Sequence, residues 1–126
     1  MKRALLAAAV LLAGCPFVYD DDDSAVSGIA PVIEQSFPSS AIQSIAQGES
    51  IEFSAQGEDP DSLDLTWQFQ LDGSFEVGGE ANDGTFDVTW LLEYRAELAD
   101  TSVDVDFVVS DGVQETWRTW AVDFGP

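Results

Sequence analysis

Histidine is missing from this chain altogether, cysteine occurs once, and four basic side chains stand against 24 acidic ones in 126 residues. Each scarcity removes a class of chemistry. Without histidine, and with a lone cysteine at Cys15, the chain has no Ser/His/Asp or Cys/His nucleophile–base pair. Zinc loses its preferred ligands for the same reason. A single cysteine also forbids a disulfide within the chain, so stability has to come from packing. The net charge of −20 repels phosphates, which argues against a nucleic-acid partner. Carboxylate pairs are the remaining catalytic option, but among 24 acids some pair always looks suitable for glycoside hydrolysis, so the signal carries no weight. The chain reads as a protein that is not an enzyme.

What is present begins with Met1-Lys2-Arg3, a cationic start, and an unbroken apolar run from Ala4 to Ala13. That run is about half of the ~20 residues a membrane span needs, which fits a cleaved signal sequence. Its end, Leu12-Ala13-Gly14-Cys15, resembles the lipobox of bacterial lipoproteins. The resemblance implies cleavage after Gly14, diacylglycerol on Cys15, and attachment to a membrane through that lipid. Two or three acyl chains anchor a protein essentially permanently, where one is marginal. An ordinary cleaved signal with a coincidental cysteine is the alternative. Loss of Lys2 and Arg3 leaves Arg95 and Arg118 as the remaining cations.

The expected organisation is a signal peptide over residues 1–14, a lipidated cysteine and acidic tether over 15–27, and one folded domain over 28–126. Asp20-Asp21-Asp22-Asp23 keeps the tether solvated and extended by self-repulsion. An acidic run soon after the lipidated residue resembles surface-export signals of some lipoproteins, and a plain spacer is the simpler account. Pro16, in place of the aspartate associated with inner-membrane retention, points to the outer membrane, at its periplasmic face or the cell surface.

Within the domain, Ile51, Phe53 and Ala55 alternate with polar residues, as do Leu63, Leu65, Trp67, Phe69 and Leu71, and again Val103, Val105, Phe107 and Val109. A period of two marks half-buried antiparallel strands. Further strands are expected over 30–36, 74–77, 85–90 and 114–124. Asp72-Gly73, Asp83-Gly84 and Asp111-Gly112 supply tight turns. About seven strands at this spacing predict an all-β, Greek-key antiparallel β-sandwich. Leu92, Ala96 and Ala99 recur at helical spacing and predict one or two helical turns over 91–100. Trp67, Phe69, Trp90, Phe107 and Trp120 are the expected core.

Ala30-Pro31-Val32-Ile33, Gly48-Glu49-Ser50-Ile51-Glu52-Phe53, Asp59-Pro60-Asp61 leading into Leu65-Thr66-Trp67, and Val108-Val109-Ser110-Asp111-Gly112 resemble bacterial Ig-like domains of the PKD and cadherin-like type. These are turn and core motifs, so they speak for architecture before activity. The resemblance implies a binding, adhesive or scaffolding module, with a protein partner in the envelope.

Two sets of site candidates follow. Glu58, Asp59, Asp61, Asp64 and Asp111 supply hard oxygen donors of the kind calcium takes, at one end of such a sandwich. Asp-Pro-Asp is also ordinary turn chemistry. At the opposite pole, Phe37, Tyr94 and Arg95 suit a protein contact, or else fold over the open end of the core. Trp117 falls off the inward register of its strand and suits a sugar ring, as in a carbohydrate-binding module; a bulge or a cross-strand pair accounts for it too.

Overall fold

A computed structural model describes residues 28–126. The signal sequence, Cys15 and the acidic tether lie outside the described residues. Eight strands follow in order: β1 (Val32–Phe37), β2 (Ile42–Ile45), β3 (Ser50–Glu58), β4 (Leu65–Leu71), β5 (Ser74–Ala81), β6 (Thr85–Glu93), β7 (Ser102–Ser110) and β8 (Glu115–Phe124). They form a three-stranded sheet, β1-β3-β6, and a five-stranded sheet, β2-β8-β7-β4-β5. Neighbours are antiparallel except β2 and β8, which run parallel.

Alternation along the strands decides what meets between the sheets. Phe53 and Ala55 of β3, Leu65, Phe69 and Leu71 of β4, and Val103, Val105, Phe107 and Val109 of β7 are buried, as their period of two requires. The sheets are joined by aromatic contacts across the interface. Phe53 meets Trp120 edge-on with centroids 4.9 Å apart, Phe69 meets Trp90 at 5.8 Å, and Phe86 meets Phe107 at 5.7 Å. Edge-to-face and tilted pairs of this kind contribute about 0.5–1.5 kcal/mol each beyond the area they bury.

The two flanks of the sandwich are built differently. On one, the chain leaves the three-stranded sheet after Phe37 and joins the five-stranded sheet at Ile42. Pro38 and Ser39 in that crossing have no ladder partner, and their carbonyls need donors. Inward-facing side chains of β8 provide them. Trp120 Nε1 donates to the Pro38 carbonyl at 2.8 Å and Arg118 Nη2 to that of Ser39 at 3.0 Å, while Thr116 Oγ1 holds the Pro31 carbonyl, just ahead of β1, at 2.6 Å. The guanidinium also lies 5.0 Å from the Trp120 ring centroid. Gly57 is where β1 approaches β3 most closely, since a Cβ there would fall 1.8 Å from the Val32 carbonyl oxygen.

The opposite flank stays open. Among the described residues β5 and β6 are the free edges of their sheets, and no strand spans between them. One contact bridges this side: Arg95, just past β6, forms a two-armed ion pair with Glu76 of β5 at 2.6 and 3.2 Å.

The structure departs from the sequence reading in four places. Among the described residues there are eight strands where about seven were expected, because Ile42–Ile45 pairs with the last strand; four residues are too few for periodicity to announce a strand. Leu63 is exposed and β4 starts at Leu65, since Ser62 and Asp64 are held in the preceding turn. Leu92 is a fully buried residue of β6, and the helical spacing that included it yields only a 3₁₀ turn over Ala96–Leu98. Trp67 and Trp90 are half-buried, whereas Trp120, Phe53, Phe69 and Phe107 form the sealed centre.

That ranking gives a direct comparison. Trp120→Ala is expected to lose about 3–5 kcal/mol from a domain holding about 5–15. Trp67→Ala, at the open flank, is expected to cost about 1 kcal/mol and keep a cooperative transition. Urea unfolding of the two variants beside the parent checks the order.

Candidate functional site

The five acids expected to gather at one end do not converge. Glu58 ends β3 and faces solvent, and Asp64 is exposed before β4. Asp61 Oδ2 accepts the Ile29 N–H at 2.7 Å, which ties the start of the described chain to this end of the sandwich. Among the described residues no three acidic, histidine or cysteine side chains are grouped to hold a metal ion.

Two of the five do meet. Asp59 Oδ1 accepts the N–H groups of Asp61 and Ser62, at 2.8 and 3.1 Å, and Asp111 Oδ1 accepts those of Val113 and Gln114, at 2.9 and 2.7 Å. Each aspartate therefore closes its own turn. Their side chains also face one another across the two loops. Asp59 is only 5% exposed, and its Oδ2 is buried without a donor. Burial, joined by the neighbouring Asp111 charge, raises the Asp59 pKa above the usual aspartate value despite the two N–H groups. For Asp111 burial pushes upward, but the Gln114 and Val113 N–H groups and the hydrogen bond to Asp59 together outweigh it, leaving its pKa lowered. Of the two, Asp59 is the one whose acid form the fold favours, and Asp111 the one whose carboxylate it favours.

The expected pole is dispersed as well. Tyr94 Oη donates to the Gly125 carbonyl at 2.7 Å and its ring packs on Phe124, so it closes the end of the core. Arg95 is engaged with Glu76. Phe37 is 53% exposed, but it pairs with Ser54 midway along β3 and thus sits on the flank where the chain changes sheets.

Trp117 stands on the outer face of the five-stranded sheet, 50% exposed, with Nε1 donating to Glu115 at 3.2 Å. Across that face it is followed by Val108, Gln68 and Gly78 in register. Phe75, 63% exposed, folds over Gly78, where a Cβ would come within 2.9 Å of its ring. Two exposed aromatic rings thus stand at the two ends of one row crossing the sheet.

The open flank holds a recess that the sequence did not announce. Between the edges of β5 and β6 is a cavity of about 610 Å³, with Trp67, Phe86 and Val88 on the inside and Glu80, Asp83 and Asp87 among its acidic lining residues. The Trp67 indole lies against β5 at Gly79, where a Cβ would come 3.1 Å from the ring. Asp83 is held ionised: the Thr85 N–H and hydroxyl, at 3.0 and 2.9 Å, lower its pKa. A smaller cavity of about 420 Å³ shares Glu80 and Asn82 with the first. The one signal for this recess was Gly78-Gly79 inside a strand, a pattern that marks close approach of another group.

No family model and no curated protein matches the chain. Among solved structures, a quinonprotein alcohol dehydrogenase-like protein from Bacteroides thetaiotaomicron is similar at 13% identity and a TM-score of 0.49. The similarity covers 77% of this chain but 20% of that protein, so the present chain spans about a fifth of it.

The aspartate pair sets a sign. A raised pKa means that the protonated form of Asp59 is the one favoured in the folded state, and the stability tied to it fades as pH rises through that value. Asn at this position keeps the acceptor and supplies a donor toward Asp111. Asp59→Asn is therefore expected to raise stability at pH 7 by about 1 kcal/mol, or about 4 °C in melting temperature. The gain should fade as pH falls through the raised Asp59 pKa, where the parent side chain is itself protonated. If a calcium ion sat between the two carboxylates, the same substitution would lower the melting temperature in calcium chloride; melting curves with and without the salt distinguish the two.

Proposed function

We propose that this is a lipid-anchored protein of the bacterial envelope, held by Cys15, whose Ig-like domain binds a protein partner in an adhesive or scaffolding role. The sheet orders β1-β3-β6 and β2-β8-β7-β4-β5 support the Ig-like reading. On that reading the strands would be A-B-E and A′-G-F-C-C′, with the first strand divided between the sheets. The binding reading is carried by the contrast between the flanks. One is closed by the crossover of β1 into β2, and the other keeps two unpaired edge strands beside an aromatic-floored recess. Edge strands without partners are templates for main-chain pairing with another chain. The domain contributes recognition and no catalysis.

A second reading has its own observation. Trp117 and Phe75, at the two ends of one row on an open sheet face, suit stacking on sugar rings, and a carbohydrate-binding module of the envelope follows from that.

Lipid anchoring is tested by fractionating cells that produce the full chain. The parent is expected in the membrane fraction and Cys15→Ser in the soluble envelope fraction; equal partition of the two removes the anchor. Partner binding is tested with a photo-reactive residue at Thr89 on the open edge of β6, at Ile42 on the closed flank, or at Trp117 on the outer face. A protein adduct in the envelope from Thr89 is expected, and none from any of the three ends the binding reading. Glycan binding lost on Trp117→Ala and on Phe75→Ala selects the carbohydrate alternative.

A further inference from the structure

From the recess between β5 and β6 we infer the chemistry of the partner: an extended basic segment of another protein, seating a guanidinium or ammonium group on the Trp67 ring. This deepens the binding reading above and rests on it.

Three properties of the recess coincide. Its lining includes the Trp67 ring, which is half-buried, not sealed, and which packs so closely on the Gly79 main chain that a Cβ there would come within 3.1 Å of it. A cation over an indole face is attracted by the ring quadrupole, and tryptophan is the best ring for this. Acids stand around the floor on both edges: Glu80 from β5, Asp87 from β6, and Asp83 between them, the last kept ionised by Thr85. The volume of about 610 Å³ holds one or two long side chains, and the strands on either side have unpaired main-chain groups to align an extended segment.

Charge decides among the occupants. A second copy of this domain would bring its own acidic edges against these, and like charges at close quarters cost affinity. The tether with Asp20 to Asp23 is repelled in the same way. Neither Arg95 nor Arg118 is available to reach across from a second copy, since Glu76 holds the first and the Pro38–Ser39 carbonyls hold the second. A partner carrying lysine or arginine meets the opposite situation on every side of the recess.

General attraction to an acidic protein has to be separated from this site. The full-length chain in detergent is titrated by calorimetry at 150 mM salt with a peptide of alternating arginine and valine, with its glutamate–valine counterpart, and with arginine amide alone. The arginine peptide is expected to bind and the glutamate peptide to give no heat. Trp67→Leu, and separately the pair Glu80→Gln with Asp87→Asn, are each expected to weaken binding about ten-fold. Glu52→Gln with Asp123→Asn removes the same charge from exposed positions elsewhere and is expected to change it less than two-fold. The exposed acid variants keep the test valid if Trp67→Leu loses stability. Equal weakening by both acid pairs, or arginine amide binding as tightly as the peptide, overturns the inference. So does the absence of peptide binding. None of these results touches the envelope cross-linking, which judges the broader reading by itself.

Discussion

A chain that moves from one sheet to the other carries main-chain carbonyls past the point where a ladder can pair them, and the rest of this domain is arranged around that need. Three side chains one turn of the pleat apart on β8, Thr116, Arg118 and Trp120, point inward and donate to Pro31, Pro38 and Ser39. Trp120 does this while also filling the centre of the core against Phe53. The same residue thus fixes the crossover and sets the spacing of the sheets. With no disulfide to join them, the aromatic interface and this set of donors are what couple the two layers.

Closing one flank in this way leaves the other with what remains. β5 and β6 have no strand between them, and the single strong contact there, Arg95 with Glu76, holds only one end. Ionic pairs at partly exposed positions contribute little to stability, so this one acts as a spacer more than as a clamp. The recess lies toward the other end of these two strands, with Trp67 and Phe86 in its lining.

Most of the architecture was legible in the sequence because strand periodicity is a strong signal over seven or more residues. β3, β4 and β7 carry their inward and outward faces as the alternation requires. β2 was not legible, because four residues cannot show a period, and its partner lies near the far end of the chain. The turn aspartates were found as a group, but loop geometry and not composition decides which carboxylates face each other; only Asp59 and Asp111 do. Tyr94 and Arg95 looked like contact residues because exposed aromatic and basic types usually are. Their partners, Gly125 and Glu76, are distant in sequence and invisible to local pattern. Trp67 was read as core for a sound reason, its inward register, and it is only half-buried because its strand lies next to the free edge β5, where the recess opens.

Both arginines of the folded domain are committed to internal partners, and this has a consequence for resistance to proteolysis. A trypsin-like protease requires an extended, accessible segment around an arginine or lysine. Residues 28–126 contain two such residues and no lysine. Arg118 lies within β8, paired residue for residue with β7, its guanidinium tucked beneath the crossover; Arg95 leads into the 3₁₀ turn with its side chain held by Glu76. The folded domain therefore presents such enzymes with almost nothing to cut.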